Sequence, residues 1–169
     1  SSWPTSPTKQ YTSPTDTTER FGVDGVLNDA GNILAVAGYF HNNQYGRVYI
    51  YNYDGSSWPN DPTTTLSAPS NSQEHFGWRV SLNNAGNILA VSAPKYNNNQ
   101  GRVYIYENDG SSWNLRNEID EPSGSSGLKF GYSASLNGDG NILGVGSDYD
   151  EGNVRLFYYD GSSWGTEDN

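Results

Sequence analysis

Few positions in this chain combine the residue type and the spacing that chemistry requires. Of its 169 residues none is cysteine, which excludes disulfides, thiol catalysis and thiolate metal sites. His41 and His75 have no second histidine or carboxylate at ligand spacing, and the many serines include no Gly-x-Ser-x-Gly elbow. No catalytic residue is therefore assigned. The densest set of oxygen donors is Asp148, Asp150 and Glu151, followed by Asn153. Calcium takes about 6 to 8 oxygen ligands, so this loop is where such an ion would sit. Its spacing follows no rigid ligand pattern, however, and a solvated acidic turn with no cofactor is the expectation. For a neutral ligand the residues of choice are Trp78, whose ring could stack on a sugar, and Tyr96 and Asn98 in an Asn-rich loop, where side-chain amides can both donate and accept hydrogen bonds.

The elements that must position these residues follow from a repeat. Phe21 to Trp58, Phe76 to Trp113 and Phe130 to Trp164 carry one text three times, with the Phe anchors 55 and 54 residues apart. A fixed period of this kind means one supersecondary unit used repeatedly. Segments 21–75, 76–129 and 130–169 are the three units, and 1–20 reads as the outer strand and crossover of a preceding or partner unit. The third unit is shorter, and its outer strand is truncated.

Within the central unit the pattern predicts strands over 77–82, 88–92 and 102–106, then a fourth opened by Trp113 with Leu115, Asn117 and Ile119 on one face. Asn-x-(Ala/Asp)-Gly-Asn and Asp-Gly-Ser-Ser supply the turns, because Asn and Gly tolerate positive φ. Arg102-Val103-Tyr104-Ile105-Tyr106 is apolar on both faces, which predicts sheets stacked face to face. Pro4, Pro7, Pro59 and Pro62 confine the fourth strand to an edge. No segment shows helical periodicity with a cap. The fold class expected is all-β, in three four-stranded antiparallel blades of β-propeller type.

Phe21-Gly22, Phe76-Gly77 and Phe130-Gly131, followed by Gly-Asn-Ile-Leu-(Ala/Gly)-Val and, in two units, Gly-Arg-Val-Tyr-Ile-Tyr, resemble the FG-GAP repeats of integrin-α-type propellers. The resemblance covers all three units and implies an extracellular or cell-surface setting. In that family some blades carry a calcium loop; the matching positions Ser135, Asn137, Asp139, Gly140 and Leu143 offer only two oxygen side chains apart from Ser135.

A net charge of −10 and a pI near 4.3 argue against a phosphate-backbone partner, and no apolar run is long enough to cross a membrane as a helix. The function expected is a non-enzymatic structural or adhesion module. A glycan-binding propeller and a calcium-dependent adhesion head are the alternatives. Its expected partners are other copies of itself, joined head to tail by strand complementation through Trp3, Tyr11, Val154, Leu156 and Trp164, in a ring or a filament.

Overall fold

The computed structural model describes residues 6–15, 18–148 and 152–165. Each repeat forms one antiparallel sheet of four strands taken in chain order. The first holds β1 (Gly25–Leu27), β2 (Ile33–Gly38), β3 (Arg47–Asn52) and β4 (Thr64–Ser67). The second holds β5 (Val80–Leu82), β6 (Ile88–Ala93), β7 (Arg102–Asn108) and β8 (Trp113–Asp120). The third holds β9 (Ser133–Leu136), β10 (Ile142–Ser147), β11 (Asn153–Tyr159) and β12 (Trp164–Gly165).

The first hairpin closes in the same way each time. Asn28 Oδ1 accepts from the backbone N–H groups of Asn32 and Ile33 at 3.0 and 2.9 Å, and Asn83 and Asn137 repeat this with Asn87–Ile88 and Asn141–Ile142. At the outer turn Asp54, Asp109 and Asp160 accept from the two serine N–H groups that follow their glycine. Those bonds hold the Asp54 and Asp160 carboxyls down at about 2, and Asp109 is lowered by the Ser111 hydroxyl first and then by the same backbone bonds.

Strand alternation gives each sheet two unlike apolar faces. One face carries small and β-branched side chains (Ala35, Ala37, Val48, Ile50, Leu66), and the other carries aromatic and larger aliphatic ones. In one core cluster the small face of the first sheet meets Phe76, Leu82, Val91, Tyr104 and Tyr106 of the second. In another, Ala90, Val103, Ile105 and Ile119 of the second meet Phe130, Leu136, Val145 and Phe157 of the third. Small faces thus pack on aromatic faces, twice, in the same sense. The innermost strands are also stitched together, Val80 N to Asp24 Oδ2 and Leu136 N to Ser81 Oγ, each at 3.0 Å.

Close backbone approach explains the repeated glycines. Gly46 bridges Phe76 and Gly101 bridges Phe130, each in parallel sense. A Cβ at Gly46 would lie 1.9 Å from the Phe76 carbonyl oxygen, and one at Gly101 would lie 2.1 Å from that of Phe130. No side chain fits there.

The fold differs from expectation in two places. Short helical turns occur at His41–Gln44 and Tyr96–Asn99, but Asn42, Asn43, Asn97 and Asn98 within them are left-handed, a conformation Asn tolerates better than most side chains. In β8 the register shifts between the partners Ile105 and Tyr106, so Leu115 lies opposite Tyr106 and Asn117 opposite Ile105. That bulge turns Trp113 and Leu115 to one face and Asn117 and Ile119 to the other, rather than all four to one. The outer strand of the third sheet, β12, is two residues long among the described residues and pairs with Tyr158 and Tyr159. Residues 6–15 hold no strand within this copy; Tyr11 lies on Tyr51 with ring centroids 4.1 Å apart and donates to the Pro59 carbonyl.

The two kinds of positive-φ glycine should separate on substitution. Gly110 has φ +95 and open space around it, so Gly110→Ala is expected to cost only the backbone strain, about 1 kcal/mol. Gly101→Ala adds a backbone clash and should cost about 3 kcal/mol or more in urea unfolding. Equal costs would contradict the close-approach account.

Candidate functional site

The two ends of the stack are the most unusual surfaces of the molecule. On the aromatic face of the first sheet Leu27 is 52% exposed, whereas its counterparts Leu82 and Leu136 are 8% and 9% exposed. On the small face of the third sheet Val154 is 72% and Leu156 49% exposed, where Val48, Val103 and Ile50 are all 0%. The glycines agree. Gly22 and Gly152 have nothing, or only the Ser147 carbonyl at 3.7 Å, near their Cβ direction, while the equivalent Gly77 and Gly46 are crowded by a neighbouring unit. Along β11 the described pairing on the outer side joins Tyr158 to Gly165 and Tyr159 to Trp164. Among the assembly residues expected from sequence, Val154 and Leu156 lie on this open face. Trp164 packs at 5.5 Å on Tyr159 beside the second-to-third contact. Trp3 lies outside the described residues.

Tyr96 and Asn98 do share a site, a groove of about 620 Å³ lined also by Gln44, Ser70, Gln73 and Lys95. The left-handed Asn turn projects its amides here, and Lys95 Nζ donates to Gln44 Oε1 at 3.0 Å. Such a groove offers donors and acceptors to a hydroxyl-bearing ligand. One face of the Tyr96 ring is taken by the Arg102 guanidinium, 3.9 Å from its centroid. Trp78 does not line this groove. It sits between Tyr39 and Tyr132, stacks on His75, and donates its indole N–H to the Tyr132 carbonyl at 3.2 Å. Trp78 thus joins the three units at one end of their inner strands. Burial, with the Lys95 charge added, pulls the neighbouring His75 down to about 4. At the acidic loop, Asp148 faces Lys129 Nζ at 3.4 Å, and Asp150 and Glu151 lie outside the described residues. No group of three or more metal-ligating side chains occurs among the described residues.

Three buried glutamates were not anticipated. Glu19, Glu74 and Glu121 are almost fully buried, one ahead of each unit. Tyr49 Oη donates to Glu19 at 2.6 Å and Tyr104 Oη to Glu74 at 2.8 Å; at the same strand position in the third unit Arg155 meets Glu121 at 2.9 Å. Nearby groups add to each set: Ser13, Thr15 and His41 Nδ1 (3.1 Å) at Glu19, Ser70 and Ser72 at Glu74, and Ser123 with the Ser125 N–H at Glu121. The sign in the sequence was a Ser/Thr-rich crossover ending in Glu two residues before Phe-Gly, at Glu19 and Glu74. Glu121 reaches its place from nine residues before Phe130, through a longer loop, which hid the third copy. Burial pushes the Glu74 carboxyl up, against the hydrogen bonds from Ser70, Tyr104 and Ser72, and burial beside Glu74 raises the Tyr104 phenol as well.

No protein-family model matches the chain. No curated protein matches it either. Solved structures do resemble it. A putative 6-phosphogluconolactonase from Bacteroides uniformis superposes with a TM-score of 0.60 at 11% identity, over 85% of this chain and 39% of that one. A complex of KlAtg21 with the coiled-coil of AgAtg16 gives 0.58 at 14% identity, over 83% and 40%. A eukaryotic initiation factor gives 0.58 at 9% identity, over 92% and 34%. At such identities the likeness concerns the fold alone, and the chain spans well under half the length of each.

The raised Glu74 value fixes the sign of a pH effect. A carboxyl whose folded value lies above its ordinary 4.5 contributes stability that is full below that pH and lost as pH rises through the folded value. Gln does not titrate. The melting temperature of Glu74→Gln minus that of the parent should therefore rise between pH 4.5 and 7. A difference that falls with pH would mean the site prefers the carboxylate.

Proposed function

We propose that this chain is a non-enzymatic, extracellular structural or adhesion module, built of FG-GAP-type β-propeller blades, that associates head to tail with further copies of itself. One observation carries the reading. The contact of small face on aromatic face is used twice inside the chain, and at its opposite ends Val154 and Leu156 on the small face of the third sheet, and Val23 and Leu27 at the first, stay exposed. A surface already complementary to its partner twice over needs only a second copy to be used a third time. The three buried carboxylates occupy equivalent packing positions, which supports a non-enzymatic role. The acidic, cysteine-free composition and the FG-GAP resemblance support the extracellular one.

Magnitudes make the association conditional on concentration. Burying Val154, Leu156, Leu27 and Val23 is worth roughly 1.5–3 kcal/mol each, and lost translational and rotational freedom costs about 4–15 kcal/mol. A head-to-tail contact is heterologous, so it closes a ring if the rotation allows and otherwise propagates as a filament. Two copies would bring together a number of blades within the roughly 4 to 8 at which propellers close.

Sedimentation of the 169-residue chain should show mass rising with concentration. Gly152→Asn should abolish that rise. Asn tolerates the φ of +67 at this site, yet its side chain would occupy the space that the equivalent Gly46 yields to Phe76. A parent that stays monomeric throughout, or a Gly152→Asn variant that associates as the parent does, would overturn the reading.

A further inference from the structure

The groove that holds Tyr96 and Asn98 has walls from two different units. Gln44 and the crossover 70–73 come from the first, and residues 95–99 from the second. Its volume of about 620 Å³ falls within the roughly 300–1,000 Å³ of small-ligand sites, and loops on one face of a repeat protein are often its binding face. The two-walled arrangement is not repeated at the second junction. There the N–H groups of Gly127 and Lys129 bind the Asn98 and Asn99 carbonyls, and the third unit has no Asn run to build the far wall: Val145 and Gly152 lie 7 apart where Val91 and Gly101 lie 10 apart.

The lining narrows the chemistry of a ligand. In a chain of net charge −10, no carboxylate among the described residues faces this groove; Glu74 is buried behind Ser70 and Ser72, whose hydroxyls donate to it. A metal cation finds no counter-charge here. The one ammonium, Lys95 Nζ, donates to Gln44 Oε1, which also meets His75 Nε2 at 2.8 Å, so a polyanion is poorly matched as well. The Gln73, Asn98 and Asn99 side-chain amides, by contrast, make no hydrogen bond among the described residues. Each amide carries both donors and an acceptor, as a sugar hydroxyl requires of its partner.

The groove is also fixed in advance. Asn97, Asn98 and Asn99 are left-handed in succession, with φ of 46, 57 and 61, and the bonds from Gly127 and Lys129 hold that backbone in place. Half-buried Tyr96 is steadied by the Arg102 guanidinium 3.9 Å from its ring centroid. A rigid phenol ring gives contact area at little entropic cost, and Asn and Ser give adaptable hydrogen bonds beside it. We propose that this groove binds a neutral saccharide, one per chain, with the Asn98 and Gln73 amides bonding sugar hydroxyls from opposite walls and Tyr96 supplying the apolar contact. The site lies within one copy and does not depend on association between copies.

Titration of the 169-residue chain with lactose, cellobiose, maltose and mannobiose, each to about 10 mM, tests this by NMR of the side-chain amides, since that level fills a site of millimolar Kd. At least one disaccharide should shift the Asn98 and Gln73 signals together and saturably. Asn98→Gly keeps the left-handed backbone, which glycine adopts freely, and removes the amide. It should leave the melting temperature near that of the parent and weaken binding about tenfold, the effect of losing a hydrogen-bonded group. Tyr96→Ala should weaken binding at least as much. Asn43→Gly, the equivalent change in the first unit's turn, should leave it unaltered. No shift from any of the four, shifts produced only by dextran sulfate, or binding that Asn98→Gly and Asn43→Gly affect equally would overturn the proposal, whether or not the chain associates.

Discussion

Each unit is a sheet that is apolar on both faces, and this constraint governs the rest of the structure. A single sheet of this kind cannot satisfy itself in water, so the units must stack. The faces are unequal, with Ala, Val and Ile on one and Tyr, Phe and Leu on the other, so they stack in one sense only. Small side chains let the sheets approach, and rings fill the space that remains. The approach is close enough that backbone meets backbone at Gly46–Phe76 and Gly101–Phe130, and glycine is the residue those places admit.

The same constraint places the buried carboxylates. The chain leaves the outer strand of one sheet and must cross to the inner strand of the next, passing over aromatic side chains. Glu19, Glu74 and Glu121 anchor that crossing. Each is buried against a cationic or phenolic partner on the third strand of the unit it precedes, and local hydroxyls donate to it as well. A buried carboxylate without such donors would be costly. The three carboxylates are thus one packing device used three times, and Arg155 takes the tyrosine's place in the third.

Much of the fold was legible because repetition multiplies weak signals. Phe-Gly, Asn-x-(Ala/Asp)-Gly-Asn and Asp-Gly-Ser-Ser-Trp marked the units, their four strands and their turns, and the two-faced pattern of Val103 to Tyr106 implied stacking. The bulge in β8 was hidden because Trp113, Leu115, Asn117 and Ile119 alternate regularly in sequence; only the partner strand shows that the register shifts. The left-handed turns at Asn42–Asn43 and Asn97–Asn98 were likewise hidden, since Asn runs also suit irregular loops. Trp78 stood out as the odd ring among Val23 and Tyr132, but its partners Tyr39 and His75 come from the first unit and Tyr132 from the third, and no local pattern names them. Tyr96 and Asn98 did fall in one groove, because a single tight turn carries both.

The account turns on the small face of the third unit and the aromatic face of the first being the two halves of one interface. Amide hydrogen exchange measured across a range of protein concentration tests this most directly, with the turn at Asn83–Ile88, bonded within its unit and to the units on either side in the same copy, as internal reference. The account predicts that exchange at Asn153–Leu156 and at Phe21–Leu27 slows together as concentration rises, while the reference turn does not change. Exchange at both stretches that is fast and independent of concentration would contradict it.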